Sequence, residues 1–368
     1  MEVLFHRQKG WGFIKKLEEC GSVGRIRGIL GSRALFVQDP VAVQHIMAKD
    51  GVHYGFPDWA LATNEIMFGP GLLAVEGADH RRQRKILNPV FSAENLRNMT
   101  PMFYQLSHKV IASPYDFYIP FGLDLLNNRL LQLQRTLSEI IGDTTKDVDI
   151  VHWMGRAALE YVALGGMGHS FDPLTVHTGG PAMGRAVKNL IPLLFSLPLW
   201  RMSSAYLRQL GPSWIRRKLA DLVVSISPDR NLGKFRDVVN TMDEASRLVF
   251  NERQAALSKT CEGAAAGIMD GSDILSTLLK VQAHSTLEGG LSDQELLAQL
   301  STILFAGTDT TSNSLGRVLQ TLAEHPNVQT HLREELENAR DYPGQDIPYD
   351  RLMELPLLDA VCRETLRM

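Results

Sequence analysis

The stretch SDQELLAQLSTILFAGTDTTSNSLGRVLQTLAEHP, residues 292–326, decides how the rest of the chain is read. Ser292 and Glu295 stand at the S-x-x-E spacing of a capping box, in which each side chain satisfies a free backbone N–H of a first helical turn. Leu296, Leu300, Ile303, Leu304, Leu315, Val318, Leu319 and Leu322 then recur with the helical period, and Pro326 ends the run or begins the next helix. The spacing predicts one long helix over residues 291–324. Its middle, Ala306-Gly307-Thr308-Asp309-Thr310-Thr311-Ser312, is polar and helix-weak between two apolar halves. Glycine costs about 1 kcal/mol against alanine in a helix, and threonine hydroxyls bond back to carbonyls one turn earlier and bend it. Two readings follow. In one, the helix breaks and Asp309 caps a second helix. In the other, it runs on with a local bulge or kink that opens a groove, where an acid, Asp309, and an alcohol, Thr310, stand side by side to relay protons.

Working outward, residues 327–340 read as a second helix, followed by a Pro-Gly loop and then by Asp359-Ala360-Val361-Cys362-Arg363-Glu364-Thr365-Leu366-Arg367. That last run is helical, with Pro356 suited to its first turn. Glu364 and Arg367, three apart, share a face where a charge pair forms; taken alone, E-x-x-R is common and reads as a solvated surface pair. Upstream, His80-Arg81-Arg82-Gln83-Arg84-Lys85 precedes Asn88-Pro89-Val90-Phe91-Ser92. By itself it is a basic solvated helix face or a nuclear-localisation patch, and the negative balance of the chain disfavours the second idea.

With 368 residues, 44% of them hydrophobic and 21% charged, the chain is long enough for a large folded domain. A formal net charge of −3 gives no basic field, and no local motif points to nucleic acid. Cys20, Cys261 and Cys362 lie far apart without C-x-x-C spacing, which argues against a zinc site or a disulfide framework and for a reducing compartment. Residues 1–16 hold early charges and no long apolar run, so neither a signal peptide nor an anchor is expected. The most apolar stretch, 190–202, is interrupted by Pro192, Pro198 and Arg201 and falls short of the roughly 20 residues that span a bilayer. It reads as buried or interfacial.

Gly-punctuated apolar runs over residues 21–39 predict a small β-sheet, and the pattern turns helical after Pro40. Helical signals dominate from residue 137 on, with breaks at 171–181, 211–212 and 342–348. The expected fold is mainly α with a small N-terminal β-sheet, as a single domain over residues 1–368. Residues 110–134 put an aromatic, Pro-containing turn cluster between helical segments 99–109 and 137–153. They read either as a loop leading to a short helix at 130–140 or as translated intron sequence, since valine codons begin with GT and a glutamine codon can end in AG.

The segment from Ala306 to Thr311 resembles the oxygen-binding pattern [AG]-G-x-[DE]-T-[TS] in the distal helix of the cytochromes P450. Glu364 and Arg367 look like that family's E-x-x-R helix. His80 to Arg84 is similar to its W-x-x-x-R helix, with histidine where tryptophan is usual. The three occur in family order over nearly the whole chain, and the H-R-R-Q-R-K and N-P-x-F-S wording resembles fungal microsomal-type members best. The resemblance implies a cytochrome P450-like fold and a haem b cofactor. It places Ala306 and Gly307 over the haem, Asp309 and Thr310 in proton delivery to dioxygen, and Arg84 with His80 at the propionates. Histidine N–H can donate to a carboxylate and arginine can bind one bidentately. It also implies a buried Glu364–Arg367 pair that locks the proximal core, and a pocket lined by Phe305, Ala306 and residues 190–210.

The implied activity is that of a monooxygenase, an oxidoreductase that inserts one oxygen atom from O₂ into a small apolar organic substrate. Electrons would come from an NADPH-cytochrome P450 reductase-type partner. Family members usually sit at the endoplasmic reticulum membrane; with no anchor in these residues, a cytoplasmic or peripheral chain at a membrane surface is expected. One family element is missing: the haem loop F-x-x-G-x-x-x-C-x-G. Cys362 lies inside the E-x-x-R helix without the flanking Phe and Gly and reads as a small buried residue; Cys20 and Cys261 have no better context. No residue is therefore assigned as a metal ligand, the axial Cys is expected beyond Met368, and the domain is expected to be C-terminally incomplete. Since the axial sulfur favours O–O cleavage, the chain as it stands is expected to be inactive, with its retention of haem in question. The competing class is a non-catalytic helical protein, an inactive fragment or pseudoenzyme.

Overall fold

The computed structural model describes residues 10–19, 21–27, 31–50, 53–108, 147–172, 174, 180–208, 213–261, 274–275, 278–279, 290–342 and 345–367. The N-terminal sheet is one antiparallel pair, β1 (Val23–Arg27) on β2 (Arg33–Val37), in a register that sets Val23 opposite Val37 and Arg27 opposite Arg33. It follows α1 (Gly10–Glu18). After β2, Asp39 accepts a hydrogen bond from Val41 N (3.2 Å) and Pro40 fills the first position of α2 (Pro40–Gln44), where its missing N–H costs nothing. Among the described residues the remainder is helical: α3 (Asp58–Phe68), α4 (Gly77–Leu87), α5 (Ala93–His108), α6 (Ile150–Met167), α7 (Ala182–Phe195), α8 (Pro198–Arg208), α9 (Ser213–Ile226), α10 (Arg230–Cys261), α11 (Asp293–Glu324), α12 (Pro326–Asn338), α13 (Tyr349–Met353) and α14 (Pro356–Arg367). The expected mainly α fold with a small N-terminal sheet is what the chain adopts. The proposed insertion at 110–134 and the short helix at 130–140 lie outside the described residues.

The long helix α11 organises the core. Both halves of the capping box form: Ser292 Oγ accepts from Glu295 N (3.2 Å) and Glu295 Oε2 accepts from Ser292 N (2.8 Å). Leu296, Leu300 and Leu304, one turn apart, are fully buried in the main cluster with Leu159, Met167, Leu190 and Met242. The later part of the same stripe is less covered, and Leu319 is 41% exposed. No break or π-bulge interrupts α11, which runs as α-helix through residues 306–312. This also removes the alternative of a second helix capped by Asp309.

The reason lies in what Gly307 does. A Cβ built there would meet Val162 Cγ2 at 2.6 Å, and one on Gly316 would meet Val151 Cγ2 at 3.0 Å. Both glycines face α6, so each lets α6 and α11 pack backbone-close, and the helix-weak residue serves packing. The Thr310 hydroxyl bonds back to Ala306 O without interrupting the ladder.

α6 itself is tied to the loop that follows it. Its Asp149 cap accepts from His152 N (3.0 Å), and Gly168, at φ 62°, closes it with a left-handed residue. Beyond that cap, Arg156 donates to Asp172 through Nε (2.7 Å) and Nη2 (2.8 Å). Glu160 accepts from Phe171 N (3.0 Å), Asp172 N (2.9 Å) and the Ser170 hydroxyl. These charges are buried, yet their hydrogen-bonding capacity is met, which is the condition for tolerating them.

The segment 190–202 is divided between α7 and α8, with Leu190, Leu194 and Leu197 buried. α8 lies on α3, where Ser204 Oγ donates to Trp59 O (2.9 Å) and the Arg201 guanidinium stacks between Trp59 (4.8 Å) and Phe195 (4.9 Å). Burial there lowers the pKa of Arg201.

Candidate functional site

The central turns of α11 have two unlike sides. Thr308 and Ser312 are buried toward α6, whereas Ala306, Thr310 and Thr311 are exposed. Ala306 and Thr310, four apart, share one face, and the Thr310 hydroxyl donates to Ala306 O at 2.6 Å. Asp309 is half-buried between the two sides. On the flank of α11 a cavity opens between α6 and α7, lined among others by His152, Arg185, Lys188, Thr308, Asp309 and Asn313. Thr308 Oγ1 is buried there and has no hydrogen-bond partner among the described residues. Of the residues expected over the cofactor, Ala306 lies on the open face; Gly307 does not, since its Cα hydrogens face Val162. Phe305, half-buried, packs its ring on Phe68 at 5.1 Å and 38°.

α4 carries the basic run. His80 is half-buried, and Arg84 is exposed with no ion pair or hydrogen bond among the described residues. The arginine that is engaged is Arg82. Its Nη1 donates to Gly290 O (2.9 Å) and its Nη2 to Glu295 Oε1. Beside it the fully buried Gln83 donates to Pro70 O (3.0 Å) and to Glu295 Oε1 (2.9 Å), and accepts from Gln299 Nε2 (2.8 Å). Burial pushes the Glu295 carboxyl up, but the hydrogen bonds from Arg82, Ser292 and Gln83 outweigh it and hold the group below its ordinary value. The same contact raises the pKa of Arg82.

Sequence reasoning missed this network. It assigned Glu295 to the helix cap and gave Arg82 and Gln83 no role beyond the solvated helix face. A signal was present: Gln83 interrupts the arginines and lysine of the run and stands three and four residues before Ile86 and Leu87, at core-stripe spacing.

On α14 the expected Glu364–Arg367 pair forms, with Nε to Oε2 at 2.7 Å and Nη2 to Oε1 at 2.5 Å. It is not buried, however: the side chains are 55% and 71% exposed, because no described element covers that face. The hydrogen bond from Arg367 holds the Glu364 carboxyl below its usual range. Cys362 was read as buried and is instead exposed. The covered face of α14 runs through Leu358, Val361 and Thr365, and Cys362 points about 100° away from Val361.

A haem, the group that the resemblance implies, finds partners of the right chemistry in two respects. The open face of α11 offers a small side chain and a hydroxyl, and Arg84 offers a guanidinium with its donors uncommitted among the described residues. Cys362 sits on an exposed helix face, and the described residues contain no group of three His, Cys, Asp or Glu that could hold a metal ion. No described helix is long and apolar enough to cross a membrane.

Residues 124–368 match the family model for Cytochrome P450. Similar proteins include Cytochrome P450 monooxygenase 91 of Postia placenta, 39% identical over 362 residues that cover 98% of this chain and 61% of that one. Ganoderic acid synthetase CYP5150L8 of Ganoderma lucidum is 35% identical over 368 residues, covering 99% and 62%. Cytochrome P450 monooxygenase 81 of Postia placenta is 40% identical over 350 residues, covering 95% and 58%. The chain thus spans about three-fifths of the length of the curated relatives it matches.

Proposed function

Because this chain belongs to the cytochrome P450 family, we propose that it supplies the oxygen-side helix and the propionate-binding helix of a haem-dependent monooxygenase acting on an apolar organic substrate. The observation that carries this reading is the exposed face of an unbroken α11, where Thr310 donates to Ala306 O at 2.6 Å with Asp309 half-buried beside it. When bound, the haem supplies the activation of O₂ for insertion of one oxygen atom into a C–H bond. This chain's own residues bind, orient and move protons.

Arg84, helped by His80, holds the propionate carboxylates through charge-assisted hydrogen bonds. Ala306 keeps the face of α11 low. Asp309 lines the cavity and lies next to that face, so it can take a proton at a carboxylate oxygen from the cavity side and release it toward Thr310. The Thr310 proton is directed to Ala306 O, which leaves the lone pairs of Oγ1 free to accept. Donation toward the open face then requires that bond to be exchanged. Electrons come from an NADPH-cytochrome P450 reductase-type partner. A thiolate ligand for the haem would come from sequence outside residues 1–368, since none of the three cysteines stands in the haem-loop pattern.

Two linked measurements test this. The full-length gene product, reduced under carbon monoxide, is expected to give the thiolate-type difference band, and Thr310→Ala in it to uncouple oxygen consumption from product formation. Residues 1–368 alone, with haem added, are expected to give no such band. A thiolate band from the shorter chain would mean that Cys20, Cys261 or Cys362 reaches the iron, and unchanged coupling in the variant would remove Thr310 from the relay.

A further inference from the structure

Arg84 has nothing among the described residues to hold its side chain in place, so the direction it offers is set by the rotation of α4 about its own axis. Two sets of contacts determine that rotation. Ile86 and Leu87 enter the main hydrophobic cluster at the C-terminal end of α4. Ahead of them Gln83, fully buried, and Arg82 reach the first turn of α11. At 100° per residue, Arg84 lies roughly 200° around α4 from Arg82, with Gln83, Ile86 and Leu87 within that arc on the core side. Arg82 is therefore anchored on one flank of α4, and His80 and Arg84 project from the other.

Both anchors on this flank end on one carboxylate. Glu295 Oε1 accepts from Arg82 Nη2 and Gln83 Nε2, while Oε2 accepts from Ser292 N (2.8 Å) and Ser292 Oγ (3.1 Å). One oxygen closes the helix cap and the other ties α4 to α11. A capping box accepts Glu or Gln equally, so the cap does not account for a carboxylate here; the guanidinium of Arg82 does.

We propose that Glu295 is a positioning residue for the cofactor site: through Arg82 and Gln83 it sets the rotation of α4 that aims Arg84 at a haem propionate. The inference rests on the reading of Arg84 as the propionate ligand. It adds a link that the three motifs do not contain, between the start of the oxygen-side helix and the propionate-binding helix.

The test uses the full-length haem-loaded protein with Arg84→Leu, Glu295→Gln, Arg82→Leu and the double variant Arg84→Leu/Glu295→Gln. The readouts are the rate of haem transfer to an acceptor apoglobin and the midpoint potential of the iron. Arg84→Leu is expected to speed haem loss by on the order of tenfold, the weight of one charge-assisted contact, and to lower the potential, because an uncompensated propionate favours the ferric state. Glu295→Gln, which can still cap the helix, is expected to move both readouts in the same direction by a smaller factor. Arg82→Leu leaves the capping box untouched and is expected to reproduce that change. In the double variant the effect should equal that of Arg84→Leu alone, since no arginine is left to aim. If Arg84→Leu alters both readouts while Glu295→Gln and Arg82→Leu alter neither, or if the double variant shows summed effects, the inference is overturned and the family reading stands. If Arg84→Leu alters neither readout, the propionate role of Arg84 falls, and the inference with it.

Discussion

Two arginine–carboxylate pairs in this molecule have nearly the same geometry and opposite surroundings. Beneath α6, Arg156 meets Asp172 at 2.7 and 2.8 Å with side chains 5% and 0% exposed. At the end of α14, Arg367 meets Glu364 at 2.7 and 2.5 Å with side chains 71% and 55% exposed. Only the second was legible as a motif. A bidentate contact in water replaces hydration of similar quality, whereas a buried one is surrounded by groups that cannot replace a lost partner. What a pair contributes is thus set by its burial, and burial is not visible in E-x-x-R.

The largest effect is expected where the comparison is most one-sided. Asp172→Ala leaves Arg156 buried without its carboxylate and should cost about 3–5 kcal/mol in a urea unfolding curve. Its stacking on Trp153 at 4.5 Å offsets only a small part. A loss below about 1 kcal/mol would show that water enters the site and that burial does not rank the pairs.

Next is a neutral control at the other side of α6. Gly307→Ala places a Cβ where Val162 Cγ2 stands 2.6 Å away, and should cost about 1–3 kcal/mol by overpacking. An unchanged melting temperature would mean that the two helices separate easily and that the close approach is incidental.

The pair of intermediate burial, Arg82–Glu295, is expected to show its contribution through pH. The folded-state carboxyl of Glu295 is held below its ordinary value, so its stabilisation is present above the ordinary carboxylate range and is lost as pH falls through the lowered value. Melting temperatures recorded from about pH 6 down to pH 3 should fall less steeply in Glu295→Gln than in the parent chain. Parallel curves would remove this contribution.

The smallest effect is expected from Glu364→Gln, which should leave the melting temperature of the 368-residue chain unchanged within error, since the pair is solvated. A clear drop in that chain would mean that the pair is not solvated as described here, and would erase the contrast with Arg156–Asp172.

Legibility follows the same division. The start of α11 was readable because a capping box and an i, i+4 leucine stripe are local, and both form as the spacing predicts. The end of α11 before Pro326 and the Glu364–Arg367 contact are local in the same sense. The expected bulge in α11 does not form, because the helix cost of Gly307 is local, while its compensation, the approach of Val162, lies across another helix. Cys362 failed similarly, since its residue type favours burial but its angular position on α14 puts it in solvent. Gln83 was passed over because its three partners, Pro70, Glu295 and Gln299, lie up to 216 residues away.

The sequence by itself determined where α11 starts and stops, which of its faces is apolar and which short patterns resemble known chemistry, because those depend on contacts within one or two turns. Only the tertiary structure decided which of the two arginines flanking Gln83 is tied down and which is free, and that Gly307 faces α6 while Ala306 and Thr310 face outward. Those outcomes depend on how α4, α6 and α11 cross, and the crossing is fixed by close packing and by hydrogen bonds between residues far apart in the chain.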